Sequence, residues 1–244
     1  IRELYRENPD LACTQYAMGV VEMLVKERPD DASGYFREAV NTNPYFAEAY
    51  VNLSECYRKS MDFAKSIRTL QAGRDIAEYG GTVRRKIDEA LQRYKDMVKK
   101  TEGVSLEAFV KSAEAFDRGF RNMENKKWRQ AITDFKESIR HKPKTPQAYG
   151  NMGICLGRLG EKEQAREMLE KALELDPSYE PAQWNLKALD MKAEDDDAVN
   201  FVSLEYGAER YQEEEEKKKG AGADIDGNSA SGLLDFMRRQ NQTE

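Results

Sequence analysis

The chain has 244 residues, 39% hydrophobic and 34% charged, with seven prolines and a formal net charge of −6. That balance suits a helix-rich chain, and no run of about 18 uninterrupted apolar residues is present to span a bilayer, so no membrane-embedded function is expected. Fourteen acidic and six basic side chains lie from Glu194 onward, a balance of −8 that leaves the preceding 193 residues at +2 and gives no electrostatic footprint for nucleic acid.

Ile1 to Asp10 reads as the last turns of a helix stopped by Pro9. Ile1 is not a methionine, and no basic stretch followed by an apolar core marks a signal peptide, so the chain reads as a fragment or processed product. Beyond this stretch the chain is organised by a 34-residue period. Stepping back by that period takes Pro177 to Pro143, Ala165 to Ala131 and Gly153 to Gly119. The first unit is Cys13–Phe46, with Ala32, Phe36, Ala39 and Pro44. The second is Ala47–Gly80, with Tyr50, Leu53, Tyr57 and Leu70, and with Ser66 and Gly73 in the small positions. The period then breaks. Gly80-Gly81 ends a helix, and Ile87, Leu91, Tyr94 and Val98 mark one long amphipathic helix, either a degenerate unit or a spacer; its continuous stripe favours packing into a stack. Gly103 is its expected stop and Ser105 the next N-cap.

The third unit, Ser112–Thr145, carries Gly119, Ala131, Phe135, Ser138 and Pro143. The fourth, Pro146–Tyr179, carries Tyr149, Met152, Gly153, Leu156, Ala165, Leu169, Ala172 and Pro177. Each unit reads as two helices that cross closely where one presents a small residue. Each is left with an apolar side that only a neighbouring unit can bury. Pro177 cannot donate a backbone hydrogen bond and pushes Asp176 off helical angles, so the preceding helix ends near Leu175. Glu180-Pro181 then opens a closing helix with Ala182, Leu186 and Leu189 on its apolar side. Trp184 either packs there or anchors a partner.

The resulting organisation is an end of a preceding helix at 1–12, two units over 13–80, an extra amphipathic helix and connection at 81–111, and two units over 112–179. A capping helix over 180–197, a charged extension over 198–219 and a flexible tail over 220–244 complete the chain. The capping helix is expected to end at Asp195-Asp196-Asp197, whose charges oppose its negative end. The "EEEEKKK" run is a solvated face, and "GAGADIDGNSASG" has linker composition. The apolar end, Leu233 to Met237, either is inert or docks on something, the groove near Asn151 and Asn185 included.

These units resemble the tetratricopeptide repeat family, whose pattern is W-x2-L-G-x2-Y, then A-x3-F, then P. The likeness covers four units. It departs in the first, where Gly19-Val20 stands for Leu-Gly, and in the second, which lacks the closing proline. The resemblance implies an all-α, right-handed helical solenoid with a capping helix, and the composition beyond it a disordered acidic C-terminal tail. It also implies a protein-interaction scaffold or adaptor, whose first helices line a concave groove for a peptide. Asn52 and Asn151 occupy the sixth position of their units and Asn185 the equivalent place in the closing helix. An asparagine offers a donor and an acceptor to an extended backbone. The competing reading is that these asparagines only cap or solvate the groove. The partner-binding candidates are therefore Asn52, Asn151, Asn185 and Trp184, with Asp117 interrupting the row.

Members of the family that bind acidic chaperone C-termini use lysine and asparagine in one unit and lysine and arginine in a later one. The first pair falls here on Ala17/Val21, Val51/Glu55, Phe116/Phe120 or Gly150/Ile154. The later pair falls on Thr14/Met18, Glu48/Asn52, Ala113/Asp117 or Gln147/Asn151. The clamp is missing, so a chaperone C-terminal peptide is not the expected partner.

No catalytic constellation appears. His141 is a lone histidine at a helix end beside Pro143, and there is neither a G-x-S-x-G nor a phosphate-binding glycine motif. No cofactor or metal is expected, and no enzyme. Cys13, Cys56 and Cys155 are far apart and odd in number, which argues against a disulfide framework, and Cys56 and Cys155 share one slot of their units as small packed thiols, so a reducing, cytoplasmic setting is expected. The alternative reading is a repeat appendage of a larger enzyme or of a secretion or assembly apparatus.

Overall fold

The computed structural model describes residues 1–190. Eleven helices and no strand occur among the described residues: α1 (Arg2–Glu7), α2 (Ala12–Leu24), α3 (Pro29–Thr42), α4 (Ala47–Lys59), α5 (Phe63–Ile76), α6 (Thr82–Thr101), α7 (Leu106–Glu124), α8 (Trp128–His141), α9 (Pro146–Arg158), α10 (Lys162–Leu175) and α11 (Glu180–Asp190). They belong to two compact bodies, Ile1–Val110 and, from Lys111, the rest of the described chain. The end of the capping helix beyond Asp190, the charged extension and the tail with Leu233 to Met237 lie outside the described residues.

Helix ends obey the local chemistry. Asp176, pressed by Pro177, is extended at ψ 95° and closes α10. Gly103 takes φ +70° after α6, and the Ser105 hydroxyl accepts from the Ala108 amide at 3.1 Å to open α7.

In the first body, α2 with α3 and α4 with α5 form two helical hairpins. α6 lies on α5 and α4, as a next first helix would. In the second body α9 pairs with α10, and α11 closes the stack against α10 and α9. The small positions sit where the helices cross. Ala32, Ser66, Ala131 and Ala165 are fully buried, as are Phe36, Phe135 and Leu169 beside them. A β-carbon on Gly153 would stand 2.7 Å from Leu169 Cγ and 3.1 Å from the Ala165 carbonyl oxygen, so only glycine allows this approach. Ser66 donates to the Ser54 carbonyl at 2.8 Å, and the buried Tyr94 hydroxyl of α6, 2.8 Å away, then donates to Ser66.

Every hairpin turns through a left-handed residue at position 15 of its repeat: Glu27 (φ 54°), Met61 (φ 61°), Lys126 (φ 57°) and Gly160 (φ 79°). In three repeats the next amide reaches back five residues, Asp62 to Tyr57, Lys127 to Asn122 and Glu161 to Leu156, closing a Schellman turn. The first repeat differs. There Arg28 reaches back six residues to Glu22. Its first helix is therefore offset by one position. Gly19, at position seven, makes the contact with Phe36 that Gly119, at position eight, makes with Phe135. The Gly19-Val20 departure in the sequence is this offset, taken up in the turn.

Candidate functional site

The candidate residues lie on the first helix of each pair, one group in each body. In the first body, Asn52 of α4 is half-buried, and its Nδ2 donates to the Tyr16 hydroxyl of α2 at 2.8 Å. Tyr16 is itself held between rings, with centroids 5.5 Å from Phe36 and 4.8 Å from Phe46. Burial raises its phenol pKa, and the Asn52 hydrogen bond partly offsets that. The aromatic packing fixes Tyr16, and Tyr16 orients the amide. Glu48 and Glu55 stand four residues before and three after Asn52 on α4, which puts all three on one side of that helix. Glu48 is exposed, and Glu55 accepts from the Arg58 Nε at 2.7 Å.

In the second body the candidates are deeper. Asn151 on α9 is 6% exposed and Asn185 on α11 only 3%. Asn185 donates from Nδ2 to the Pro181 carbonyl at 2.7 Å, one turn back, while its Oδ1 is buried without a donor. Trp184, beside it, is half-buried. The structure thus brings Asn151, Asn185 and Trp184 to one pair of packed helices, α9 and α11, and puts Asn52 on the other body. Asp117 is exposed on α7.

The clamp positions hold no base in either register. Phe116 meets Phe135 edge-on at 5.4 Å, Gly150 lies under Tyr179, and Ile154 is buried. Correcting the first repeat for its offset moves the two pairs to Tyr16/Val20 and Cys13/Ala17, still without lysine, asparagine or arginine.

Sequence reasoning missed Tyr16 as the partner of Asn52, and it missed two buried polar residues on α2. Gln15 and Glu22 are 6% and 4% exposed, and each keeps one buried oxygen without a partner. The signal was present: Gln15, Met18, Gly19 and Glu22 have the i, i+3, i+4, i+7 spacing of a buried stripe. Taken with the offset, Glu22 fills the slot of Tyr57, Asn122 and Leu156. Cys56 and Cys155 are buried, which pushes their thiols up to about 11 and about 12, while Cys13 is exposed. His141 ends α8. Among the described residues, no three His, Cys, Asp or Glu side chains converge as metal ligands, and no helix is long and apolar enough to cross a membrane.

Residues 146–179, the fourth unit itself, match the family model for the tetratricopeptide repeat. The chain is similar to Hsp70-Hsp90 organizing protein 2 of Arabidopsis thaliana, 30% identical over 125 residues, 50% of this chain and 19% of that protein. It is also similar to the Hsp70-Hsp90 organizing protein of Triticum aestivum, 28% identical over 189 residues, 77% of this chain and 28% of that one. The chain spans 28% or less of the length of each of these relatives. Among solved structures it is similar to YrrB, a TPR protein with an unusual peptide-binding site, at TM-score 0.37 and 18% identity, covering 75% of this chain and 95% of that one. It is likewise similar to the TPR2AB-domain:pHSP90 complex of yeast Sti1, at TM-score 0.32 and 21% identity, covering 72% and 69%.

Proposed function

Because the chain is a tetratricopeptide repeat protein, we propose that it is a non-catalytic adaptor that holds a peptide or protein partner along its first-helix faces. The observation that carries this reading is the 2.8 Å bond from Asn52 to the packed Tyr16. It holds an amide in one orientation and leaves its oxygen and second N–H for a partner's backbone, the pairing an extended peptide requires. In the second body the corresponding positions are Asn151, Asn185 and Trp184, of which the half-buried Trp184 is the most accessible to a partner.

The partner is not an acidic chaperone tail. At the clamp positions its carboxylates would meet apolar packing and, on α4, the exposed Glu48, while Glu55 is already paired with Arg58 and no clamp position holds a lysine or arginine. A neutral or basic peptide fits the first body better. We place the adaptor in the cytoplasm, where buried thiols stay reduced.

Panning a random peptide library on the full chain tests the reading. Enriched peptides should lose binding in Asn52→Ala, with the melting temperature kept; enrichment indifferent to Asn52, Asn185 and Trp184 substitutions contradicts it. A second reading, the repeats as an appendage of a larger assembly, is favoured by the small share of the relatives that the chain spans. The upstream reading frame separates the two.

A further inference from the structure

The offset of α2 has a chemical result. It puts a carboxylate, Glu22, in a slot that the other repeats give to tyrosine, asparagine or leucine, and buries it to 4% exposure. One oxygen pairs with the Lys26 ammonium; the other, Oε2, has no partner. An ionised oxygen left so is costly unless something completes it.

Glu22 lines a recess of about 490 Å³. Tyr5 and Tyr35 form another part of its wall, edge to face with centroids 5.5 Å apart, and Glu38 stands beside Tyr5. Burial first, then the Glu38 charge, raises the Tyr5 phenol pKa, which agrees with excess negative charge at this place. Arg28 and Asp31, also on the wall, neutralise each other at 2.8 Å. With Lys26 engaged by Glu22, Glu38 leaves the recess one negative charge in excess. Gly34 opens onto it, with nothing within 4 Å of where a β-carbon would sit.

We propose that this recess binds a cationic side chain, an arginine or lysine of a partner protein, with its charged end on Glu22 Oε2 and its stem against Tyr5 and Tyr35. The aromatic rings suit a guanidinium or ammonium, and the orphan oxygen supplies a charge-assisted hydrogen bond. An anion would face the excess negative charge, and no three ligands converge here for a metal ion among the described residues. Assigning the cation to a protein rests on the adaptor reading; the recess and its charge do not.

The test is a titration of the isotope-labelled full chain with N-acetyl-arginine methylamide, followed by backbone amide NMR. Saturable shifts are expected at Glu22, Gly34 and Tyr35, and none with N-acetyl-glutamate methylamide. Glu22→Gln should weaken binding about tenfold or more. Gly34→Leu, which fills the recess from an open helix face and leaves the core alone, should abolish it. Asn52→Ala should leave it intact, so failure of the groove reading and failure of this one are separable. No saturable shift, or shifts unchanged in both Glu22→Gln and Gly34→Leu, overturns the proposal. Spermidine binding the recess more tightly than an arginine-containing peptide overturns the assignment to a protein partner.

Discussion

The two bodies use one repeat frame and differ in what they bury. In the second, polar burial is mostly self-contained: the Ser112 and Ser138 hydroxyls pair at 3.0 Å, and the Thr145 hydroxyl donates to the Lys142 carbonyl at 2.8 Å. The first body buries a carboxylate and an amide, Glu22 and Gln15, each with an orphan oxygen, and fixes Asn52 through a tyrosine. Its helix crossings are no looser, since Ala32, Phe36 and Ser66 are as completely buried as Ala165 and Leu169. Packing at the crossing is therefore common to both, while the first helices are free to carry different chemistry.

The crossing itself is the place to break that comparison. Ala165→Phe and Ala32→Phe should each destabilise the protein by about 3 kcal/mol or more, because overpacking forces the helices apart. Chemical denaturation measures both; a marked difference would mean the crossings are not equivalent. Ser66→Ala is expected to cost about 1–2 kcal/mol, since it leaves the buried Tyr94 hydroxyl without a partner. Tyr94→Phe added to it should cost little more, a coupling that a double-mutant cycle reads. The turns give smaller effects of opposite sign. Gly160→Ala should destabilise by about 1 kcal/mol, and Met61→Gly should stabilise by up to about 1 kcal/mol, because both positions need positive φ.

The thiols act only at alkaline pH. With Cys56 and Cys155 raised from 9.0 to about 11 and about 12 by burial, their contribution is full below pH 9 and is lost as pH rises towards those values. The Cys56→Ala, Cys155→Ala variant should therefore lose less melting temperature between pH 9 and 11 than the parent does. At pH 8 a thiol reagent should modify the exposed Cys13 and spare the other two.

Much of the frame was legible because small and large residues recur at fixed spacing. Ala165 beside Leu169, the stop at Leu175 and the Ser105 cap each arise from local chemistry. The left-handed residue at position 15 was not legible, since Glu27, Met61 and Lys126 carry no signal for positive φ and adopt it because the turn requires it. The offset of α2 was visible only as a misplaced glycine; without its partner Phe36, nothing said which neighbour had moved. Of the candidate site, only the helix positions were legible. Position six identified Asn52, Asn151 and Asn185, but a row in sequence does not report depth, and two of the three proved deeply buried. Tyr16 lies 36 residues before Asn52, a separation that sequence spacing cannot pair.

The most direct test of the adaptor reading is binding of a library-selected peptide to the full chain, compared with Asn52→Ala and Tyr16→Phe by calorimetry. Asn52→Ala should abolish binding and Tyr16→Phe should weaken it about fivefold to tenfold, the loss of one orienting hydrogen bond, with melting temperatures little changed. A peptide that binds both variants as tightly as the parent contradicts the account.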